Sequence, residues 1–239
     1  MKKPSFTQIK NHLLDLFFPK FCVGCKKEGN WLCENCKEDM IAVISQVCPE
    51  CGRLSLKGKY CKKCQKGKYL KGIIAALYYK EGPTKEIIHN IKYNSVIELA
   101  PVLGISMAEV LKNNLVKKDA LITFAPLHSK RLAQRGFNQA ELLAKIIAKE
   151  SKLKLINLLK KRKNTKQQVE LKGNSRRKNL AGVFNFSGGP ATAGLANIKG
   201  KTIIIIDDVT TTGATLNECA KVLKEAGAKE VWGLVAARG

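Results

Sequence analysis

The segment of this chain that decides its fold is residues 201–215, which read KTIIIIDDVTTTGAT. Its four consecutive isoleucines predict a strand that is buried on both faces, as strands are in a parallel sheet covered by helices. Two adjacent acids, Asp207 and Asp208, follow at the carboxyl end of this strand, where open α/β sheets bind their ligands. The segment therefore predicts an α/β domain with a parallel sheet and a ligand site at this edge.

A loop of threonines around one glycine comes after the two acids and leads into a predicted helix. Backbone N–H groups at a helix start, with hydroxyl groups beside them, form a cradle for phosphate. The carboxylates of Asp207 and Asp208 repel a phosphate, but they suit the hydroxyl groups of a sugar or a divalent cation. A sugar phosphate satisfies both halves of this motif. The alternative is that the acids and threonines only cap the helix.

Two other phosphate-binding motifs do not occur in the sequence. Five residues separate Gly194 from Gly200, and Lys201 leads into a strand, so this stretch is not a G-x-x-x-x-G-K-[ST] loop. No G-x-G-x-x-G follows a predicted strand, so the dinucleotide-binding fingerprint is absent as well.

The sequence around this segment alternates short β-rich runs with longer amphipathic ones, which is typical of a parallel sheet covered by helices. We expect strands at residues 73–79, 120–125, 183–186, 202–206 and 230–236, with a short one near 153–156. We expect helices at residues 84–93, 97–111, 138–149 and 215–226, the last of them ending at Gly227. These elements make one domain over residues 70–239, with Cys219 as a core residue of its last helix.

Eight of the nine cysteines form four Cys-x-x-Cys pairs, namely Cys22/Cys25, Cys33/Cys36, Cys48/Cys51 and Cys61/Cys64. A Cys-x-x-Cys turn directs two sulfurs at one point, and two such turns supply the four thiolates that tetrahedral zinc accepts. The spacing favours pairing in order, with two structural zinc ions in a small double ribbon over residues 20–67. An interleaved pairing and a disulfide framework are the alternatives.

Residues 1–19 carry apolar side chains at helical spacing, which predicts an amphipathic helix. We expect its apolar face to pack on the rest of the chain, and docking to a partner or a membrane surface is the alternative. No apolar run approaches the ~20 residues of a membrane-spanning helix, and no small-residue cleavage site follows the first apolar stretch. We therefore expect a cytoplasmic protein without a transmembrane segment.

The string IIIIDDVTTTGAT closely resembles the phosphoribosyl pyrophosphate (PRPP)-binding motif of type I phosphoribosyltransferases. The whole chain resembles the ComF family, in which a Cys-x-x-Cys zinc ribbon precedes a phosphoribosyltransferase-like domain associated with natural competence for DNA uptake. Further matching positions are Ala125-Pro126-Leu127-His128, Lys130-Arg131, Arg135-Gly136-Phe137-Asn138-Gln139-Ala140, Thr165, Gln168 and Asn179. The resemblance implies a type I phosphoribosyltransferase fold preceded by a double zinc ribbon.

The resemblance also implies roles for the site residues. Asp207 and Asp208 would hold the ribose hydroxyls at the catalytic centre, and Mg²⁺ would bridge pyrophosphate and ribose. Lys130 and Arg131 would neutralise pyrophosphate oxygens. The implied PRPP-binding loop consists of Val209, Thr210, Thr211, Thr212, Gly213, Ala214 and Thr215. The implied reaction transfers the phosphoribosyl group to an acceptor that the sequence does not identify.

The chain is strongly basic, with 43 Lys and Arg residues against 19 Asp and Glu and a net charge of +24. The densest positive charge lies in residues 149–178, where interspersed polar side chains predict a mobile loop. This loop is either a lid that closes over pyrophosphate, an electrostatic track for nucleic acid, or a solvated surface. The nucleic-acid candidates are Lys160, Lys161, Arg162, Lys163, Arg176, Arg177 and Lys178.

Three hypotheses for the function follow. The first is a phosphoribosyltransferase with an unknown acceptor. The second is a nucleic-acid-associated protein in which the PRPP site is a sensor or scaffold, while the ribbon and the basic stretch bind single-stranded DNA. The third is salvage of a free base. The resemblance implies PRPP and either single-stranded DNA or DNA-uptake proteins as partners, and the sequence leaves the oligomeric state open. Lys92 and Arg238 are single charges near the ends of predicted elements, and we assign neither of them a role.

Overall fold

The computed structural model describes residues 19–80, 82–114, 119–162, 182–187 and 198–239. The predicted N-terminal helix lies outside the described residues apart from Pro19, and so do the basic candidates Lys163, Arg176, Arg177 and Lys178. In the part of the chain that is described, no helix is long and apolar enough to cross a membrane.

Strands and helices alternate along the described residues after a cysteine-rich start. The helices are α1 (Glu34–Glu38), α2 (Thr84–Tyr93), α3 (Ala100–Asn114), α4 (Ser129–Arg135), α5 (Gln139–Ser151) and α6 (Ala214–Glu225). The strands are β1 (Gly72–Tyr78), β2 (Leu121–Phe124), β3 (Lys154–Leu155), β4 (Leu159–Lys161), β5 (Phe184–Phe186), β6 (Thr202–Thr210) and β7 (Glu230–Arg238).

Five strands form one parallel sheet in the order β1-β7-β6-β2-β3, with β6 at its centre. All four isoleucines of β6 are fully buried. Ile204 and Ile206 pack in the core that contains α2, α3 and α5, whereas Ile203 and Ile205 pack in the core that contains α6. Successive side chains of a strand point to opposite faces, so this one strand holds both helical layers together. The predicted parallel sheet covered by helices is confirmed.

The strand predicted at residues 183–186 does not join the parallel sheet. It is β5, which pairs antiparallel with β4 in a separate two-stranded sheet. β4 lies inside the stretch predicted as a mobile loop, and that part of the prediction is wrong. The reason is hydrophobic burial, because Leu158 and Leu159 are 0% and 1% exposed and anchor the chain just before its lysines.

The segment between β2 and α5 is also more regular than a loop. α4 begins after His128, whose Nδ1 accepts a hydrogen bond from Lys130 N at 3.2 Å. Asn138 starts α5, since its side chain accepts a hydrogen bond from Ala140 N and donates one to Ala125 O. These caps hold α4 at the carboxyl end of β2, beside the end of β6.

Candidate functional site

The eight paired cysteines gather into two groups, one of Cys22, Cys25, Cys33 and Cys36 and one of Cys48, Cys51, Cys61 and Cys64. The Cys22–Cys33 and Cys25–Cys33 sulfur separations are 3.7 Å, and the Cys51–Cys61 separation is 3.9 Å. Tetrahedral zinc with Zn–S bonds of about 2.3 Å requires sulfurs about 3.8 Å apart. Both groups therefore fit structural zinc. Pairing in order is confirmed, and the interleaved alternative is wrong. We call residues 22–36 the first ribbon and residues 48–64 the second ribbon.

A cavity of about 430 Å³ opens at the carboxyl ends of β1, β6 and β7. Residues 210–215, which we call the threonine loop, form one wall, and α2 contributes another. The lining residues are Tyr79, Ile88, His89, Lys92, Tyr93, Asp207, Val209, Thr210, Thr211, Thr212, Gly213, Ala214, Thr215 and Gly239. All seven residues predicted for the PRPP-binding loop thus surround one cavity.

The threonine loop turns at Gly213, which has a φ of +70° and is the N-cap residue of α6. Thr210 Oγ1 accepts a hydrogen bond from Gly213 N at 3.0 Å, which closes the turn. A Cβ atom at this position would lie 2.6 Å from Ile73 Cδ1, so both the backbone angle and the packing require glycine. Since glycine has no side chain to cap the helix, the N–H groups of the first turn suit an anion in the cavity.

The two acids at the end of β6 have different surroundings. Asp207 lines the cavity. Asp208 is 6% exposed, and its Oδ2 lies 2.7 Å from Lys92 Nζ in an ion pair. The sequence predicts both acids as ligands of the ribose hydroxyls. Of the two acids, Asp207 lines the cavity and its Oδ1 accepts a hydrogen bond from Asp208 N, whereas Asp208 forms the ion pair with Lys92.

The charges around the acids shift their protonation equilibria. Burial and the neighbouring Asp208 carboxylate raise the pKa of Asp207 to about 7, against the opposing effects of Lys92 and Lys161. Burial alone lowers the pKa of Lys92, but the charge of Asp208 and its hydrogen bond outweigh burial, so the pKa of Lys92 is raised. Lys92 therefore stays charged while Asp207 titrates near neutral pH.

The raised pKa of Asp207 predicts a pH-dependent stability. An unfolded Asp titrates near pH ~3.9. The folded protein therefore holds the additional proton between about pH 4 and 7, and its stability falls as the pH rises through this range. Asp207→Asn removes this pH-dependent loss of stability. The melting temperature of the variant minus that of the wild type should therefore be larger at pH 8 than at pH 5. A difference that is the same at both pH values would contradict the raised pKa.

A second cavity, of about 270 Å³, adjoins the first and shares Lys92 and Tyr93 with it. Its other lining residues are Ser95, Arg131, Gln134 and Arg135. All the charged residues of this lining are cations, so the cavity suits an anionic group. Of the two residues predicted for pyrophosphate, Arg131 lines this cavity. Lys130 is exposed on α4 and lines neither cavity.

Among the described residues of the basic stretch, Lys161 interacts electrostatically with this site. Burial and the charge of Arg131 lower its pKa, and the charge of Asp207 acts on it in the opposite direction. Its neighbours Lys160 and Arg162 are exposed. Of the three predicted nucleic-acid candidates that the structure describes, Lys161 therefore interacts with the site, whereas Lys160 and Arg162 face solvent.

Sequence reasoning missed the roles of Lys92 and Arg238. His89, Lys92 and Tyr93 share one face of α2 and all line the cavity, and this helical spacing is a signal that the sequence does contain. Arg238, at the end of β7, donates hydrogen bonds to the carbonyls of Val47, Cys48 and Pro49. No local signal could have identified these partners, because they lie near the other end of the chain.

Comparison with known proteins agrees with this architecture. Residues 13–65 match the double zinc ribbon domain family, and residues 132–238 match the phosphoribosyl transferase domain family. Competence protein F of Haemophilus influenzae is 28% identical over 235 residues, which cover 92% of this chain and 99% of that protein. DNA utilization protein YhgH of Escherichia coli K12 is 27% identical over 231 residues, which cover 91% of this chain and 97% of that protein.

Competence protein ComFC of Streptococcus pneumoniae is 30% identical over 208 residues, which cover 86% of this chain and 87% of that protein. Along the chain, the match to the double zinc ribbon family precedes the match to the phosphoribosyl transferase family. The two cysteine centres and the parallel sheet follow each other in the same order. On this similarity over most of both chains, the protein belongs to the ComF family of competence proteins.

Proposed function

We propose that this protein binds PRPP with Mg²⁺ in the 430 Å³ cavity and transfers its phosphoribosyl group to an acceptor. The observation that carries the proposal is the adjacency of three features: the threonine loop at the start of α6, the carboxylate of Asp207, and the cationic second cavity. PRPP has three matching parts, which are a 5′-phosphate, a ribose with free hydroxyls and a pyrophosphate.

Each part of the ligand has a chemical reason for its place. The 5′-phosphate belongs on the threonine loop, where helix N–H groups favour an anion and Asp207 is kept away from it by charge repulsion. The ribose hydroxyls donate to the Asp207 carboxylate. The pyrophosphate belongs beside Arg131 and Lys161, because charge-assisted hydrogen bonds to phosphate oxygens are roughly twice as strong as neutral ones.

The residues present also fit a Mg²⁺ ion carried by the substrate. Mg²⁺ is usually bound by one or two carboxylates together with substrate phosphates and waters, and Asp207 offers such a carboxylate in the cavity. When bound, the ion would supply positive charge to the pyrophosphate oxygens. Arg131 and Lys161 contribute the chain's own share of that charge.

The proposed reaction breaks the bond between ribose C1 and a pyrophosphate oxygen, and a bond from the acceptor to C1 forms. Positive charge develops at C1 and negative charge on the leaving group. Asp207 stabilises the first of these charges electrostatically, and Arg131 and Lys161 stabilise the second. In the proposed arrangement, the carboxylate lies on the side where positive charge develops, and the two cations lie on the side where negative charge develops.

A second function is favoured by a different observation. Lys160 and Arg162 are exposed on and beside β4, and the chain carries a net charge of +24. Such a surface attracts a nucleic-acid backbone without regard to sequence. Relatives carry the names competence protein and DNA utilization protein. In this alternative the protein binds single-stranded DNA, and the PRPP site serves as a sensor or scaffold without turnover.

Titration calorimetry of Mg²⁺-PRPP into zinc-loaded protein tests the first function. We expect saturable binding that Asp207→Asn weakens about 10- to 100-fold, since a hydrogen bond to a charged group contributes about 1.5–3 kcal/mol. The matched control is Asp119→Asn, which removes an exposed carboxylate and should leave the affinity unchanged. A folded wild-type protein that does not bind Mg²⁺-PRPP would show that the proposal is wrong.

Fluorescence anisotropy with a labelled oligonucleotide separates the two functions. The double variant Lys160→Glu with Arg162→Glu should lose DNA affinity if the exposed cations form the contact, while its PRPP affinity stays close to that of the wild type. Asp207→Asn should show the reverse pattern. Release of pyrophosphate in the presence of a candidate acceptor distinguishes turnover from sensing.

A further inference from the structure

The second ribbon is tied to the wall of the phosphoribosyl cavity by the side chain of Arg238. The guanidinium Nη2 donates to Pro49 O at 2.9 Å and to Cys48 O at 3.3 Å, and Nη1 lies 3.5 Å from Val47 O. Arg238 is the register partner of Thr210, the first residue of the threonine loop. The next backbone N–H, that of Gly239, donates to Thr210 O at 3.1 Å. One side chain thus connects a zinc-ligand turn to the start of the threonine loop.

Two further contacts join the same pair of segments. Tyr60 precedes the zinc ligand Cys61 and is 6% exposed, and a Cβ atom at Gly213 would lie 3.3 Å from its hydroxyl oxygen. Asn217, in the first turn of α6, accepts hydrogen bonds through Oδ1 from Tyr69 N at 2.9 Å and Leu70 N at 3.4 Å. The threonine loop and the start of α6 therefore contact the second ribbon and the segment that follows it.

The first ribbon has its contacts elsewhere in the described residues. A Cβ atom at Gly24 would lie 3.4 Å from Pro83 Cβ, so this ribbon packs beside the start of α2. Val23 belongs to the core on the α2 side of the sheet. The first ribbon therefore contacts α2, whereas the second ribbon contacts the threonine loop. A variant of the first zinc centre is thus a control for a variant of the second.

We propose that Arg238 is a positioning residue for the 5′-phosphate and that zinc in the second ribbon, but not in the first, determines the shape of the threonine loop. This inference rests on the proposed function. The guanidinium is a rigid planar fork, so it can reach three carbonyls only where those carbonyls converge. Cys48 and Cys51 bound to one metal hold residues 47–49 in that arrangement. Loss of the metal frees these carbonyls from that arrangement. Arg238 then no longer fixes the start of the threonine loop at Thr210.

The test compares two probes, ribose 5-phosphate for the threonine loop of the first cavity and pyrophosphate with Mg²⁺ for the second cavity. For Arg238→Met we expect ribose 5-phosphate to bind at least about tenfold more weakly, within the 5- to 150-fold range of typical coupling between sites. Pyrophosphate should bind as it does to the wild type. Arg238→Lys, which keeps a donor, should give an intermediate loss, and Lys145→Met, which removes an exposed cation from α5, should change neither affinity.

The zinc arm of the test compares single ligand variants, Cys25→Ser in the first ribbon and Cys51→Ser in the second, both at exposed cysteines. Each variant should lose one zinc ion from its own centre. Only Cys51→Ser should also lose affinity for ribose 5-phosphate.

Three results would overturn the inference: Arg238→Met binds ribose 5-phosphate as the wild type does, both probes weaken equally, or the two cysteine variants lose ribose 5-phosphate alike. A wild-type protein that binds Mg²⁺-PRPP but no ribose 5-phosphate overturns this inference alone, whereas one that binds neither overturns the proposed function as well, so the two failures are distinguishable.

Discussion

Removal of zinc by a strong chelator is expected to unfold both ribbons and to expose eight of the nine thiols to a thiol reagent. Cys22 and Cys48 are 0% exposed, so their reactivity requires the ribbons to open. The effect is large because structural zinc sites contribute about 10–16 kcal/mol of apparent binding free energy at pH 7. The ninth thiol, Cys219, is 0% exposed in the core beside α6 and should stay protected until the sheet itself unfolds.

The measurement is a count of reactive thiols together with a colorimetric zinc assay. Cys219→Ala is the matched control, because it removes a cysteine that belongs to neither centre and should leave the zinc content at two ions per chain. Protein that contains no zinc, yet whose eight paired thiols stay unreactive in the presence of chelator, would contradict this prediction.

Lys92→Met is expected to destabilise the folded protein by about 3–5 kcal/mol, because removing one partner leaves the buried carboxylate of Asp208 without compensation. The side chains of this pair are 20% and 8% exposed, so the carboxylate of Asp208 has little contact with water. For a chain of this length each kcal/mol lowers the melting temperature by about 2–4 °C. Urea unfolding measures the change in free energy directly.

The double variant Lys92→Met with Asp208→Asn should recover much of the loss, because it removes both charges from the buried site. Lys145→Met is the control, since it breaks an ion pair with Glu141 whose side chains are 60% and 37% exposed, and such surface pairs contribute at most about 1 kcal/mol. A Lys92→Met variant that is no less stable than Lys145→Met would contradict the role given to this pair.

Several features of the protein were predictable because their signals are local. The four isoleucines predicted the central strand, and their burial on both faces followed from the absence of any polar alternation. Helix α2 has the predicted bounds, Thr84–Tyr93. The Cys-x-x-Cys spacing predicted the eight zinc ligands and favoured their pairing in order, because two residues between cysteines suffice to direct both sulfurs at one metal, and the structure decided against the interleaved pairing.

The pairing of β4 with β5 was not predictable in this way. Lys160 and Lys161 have the same local chemistry, and only pairing across to β5 and burial of the neighbouring leucines separate the exposed lysine from the one near Arg131. The density of charged residues along the sequence does not distinguish these two lysines. Their division between surface and site depends on contacts between distant segments.

Local sequence patterns predicted the central strand, the threonine loop and the four Cys-x-x-Cys turns, since each depends on residues a few positions apart. Contacts between distant segments, which no local pattern contains, place Asp207 in the cavity lining, pair Asp208 with Lys92, and join the second ribbon to the strand end beside Thr210 through Arg238. Strand alternation predicts that these two adjacent acids point to opposite faces of the sheet, but it does not predict which of them meets Lys92. Their roles diverge because a helix and a ribbon from much earlier in the chain pack against the end of β6 and β7.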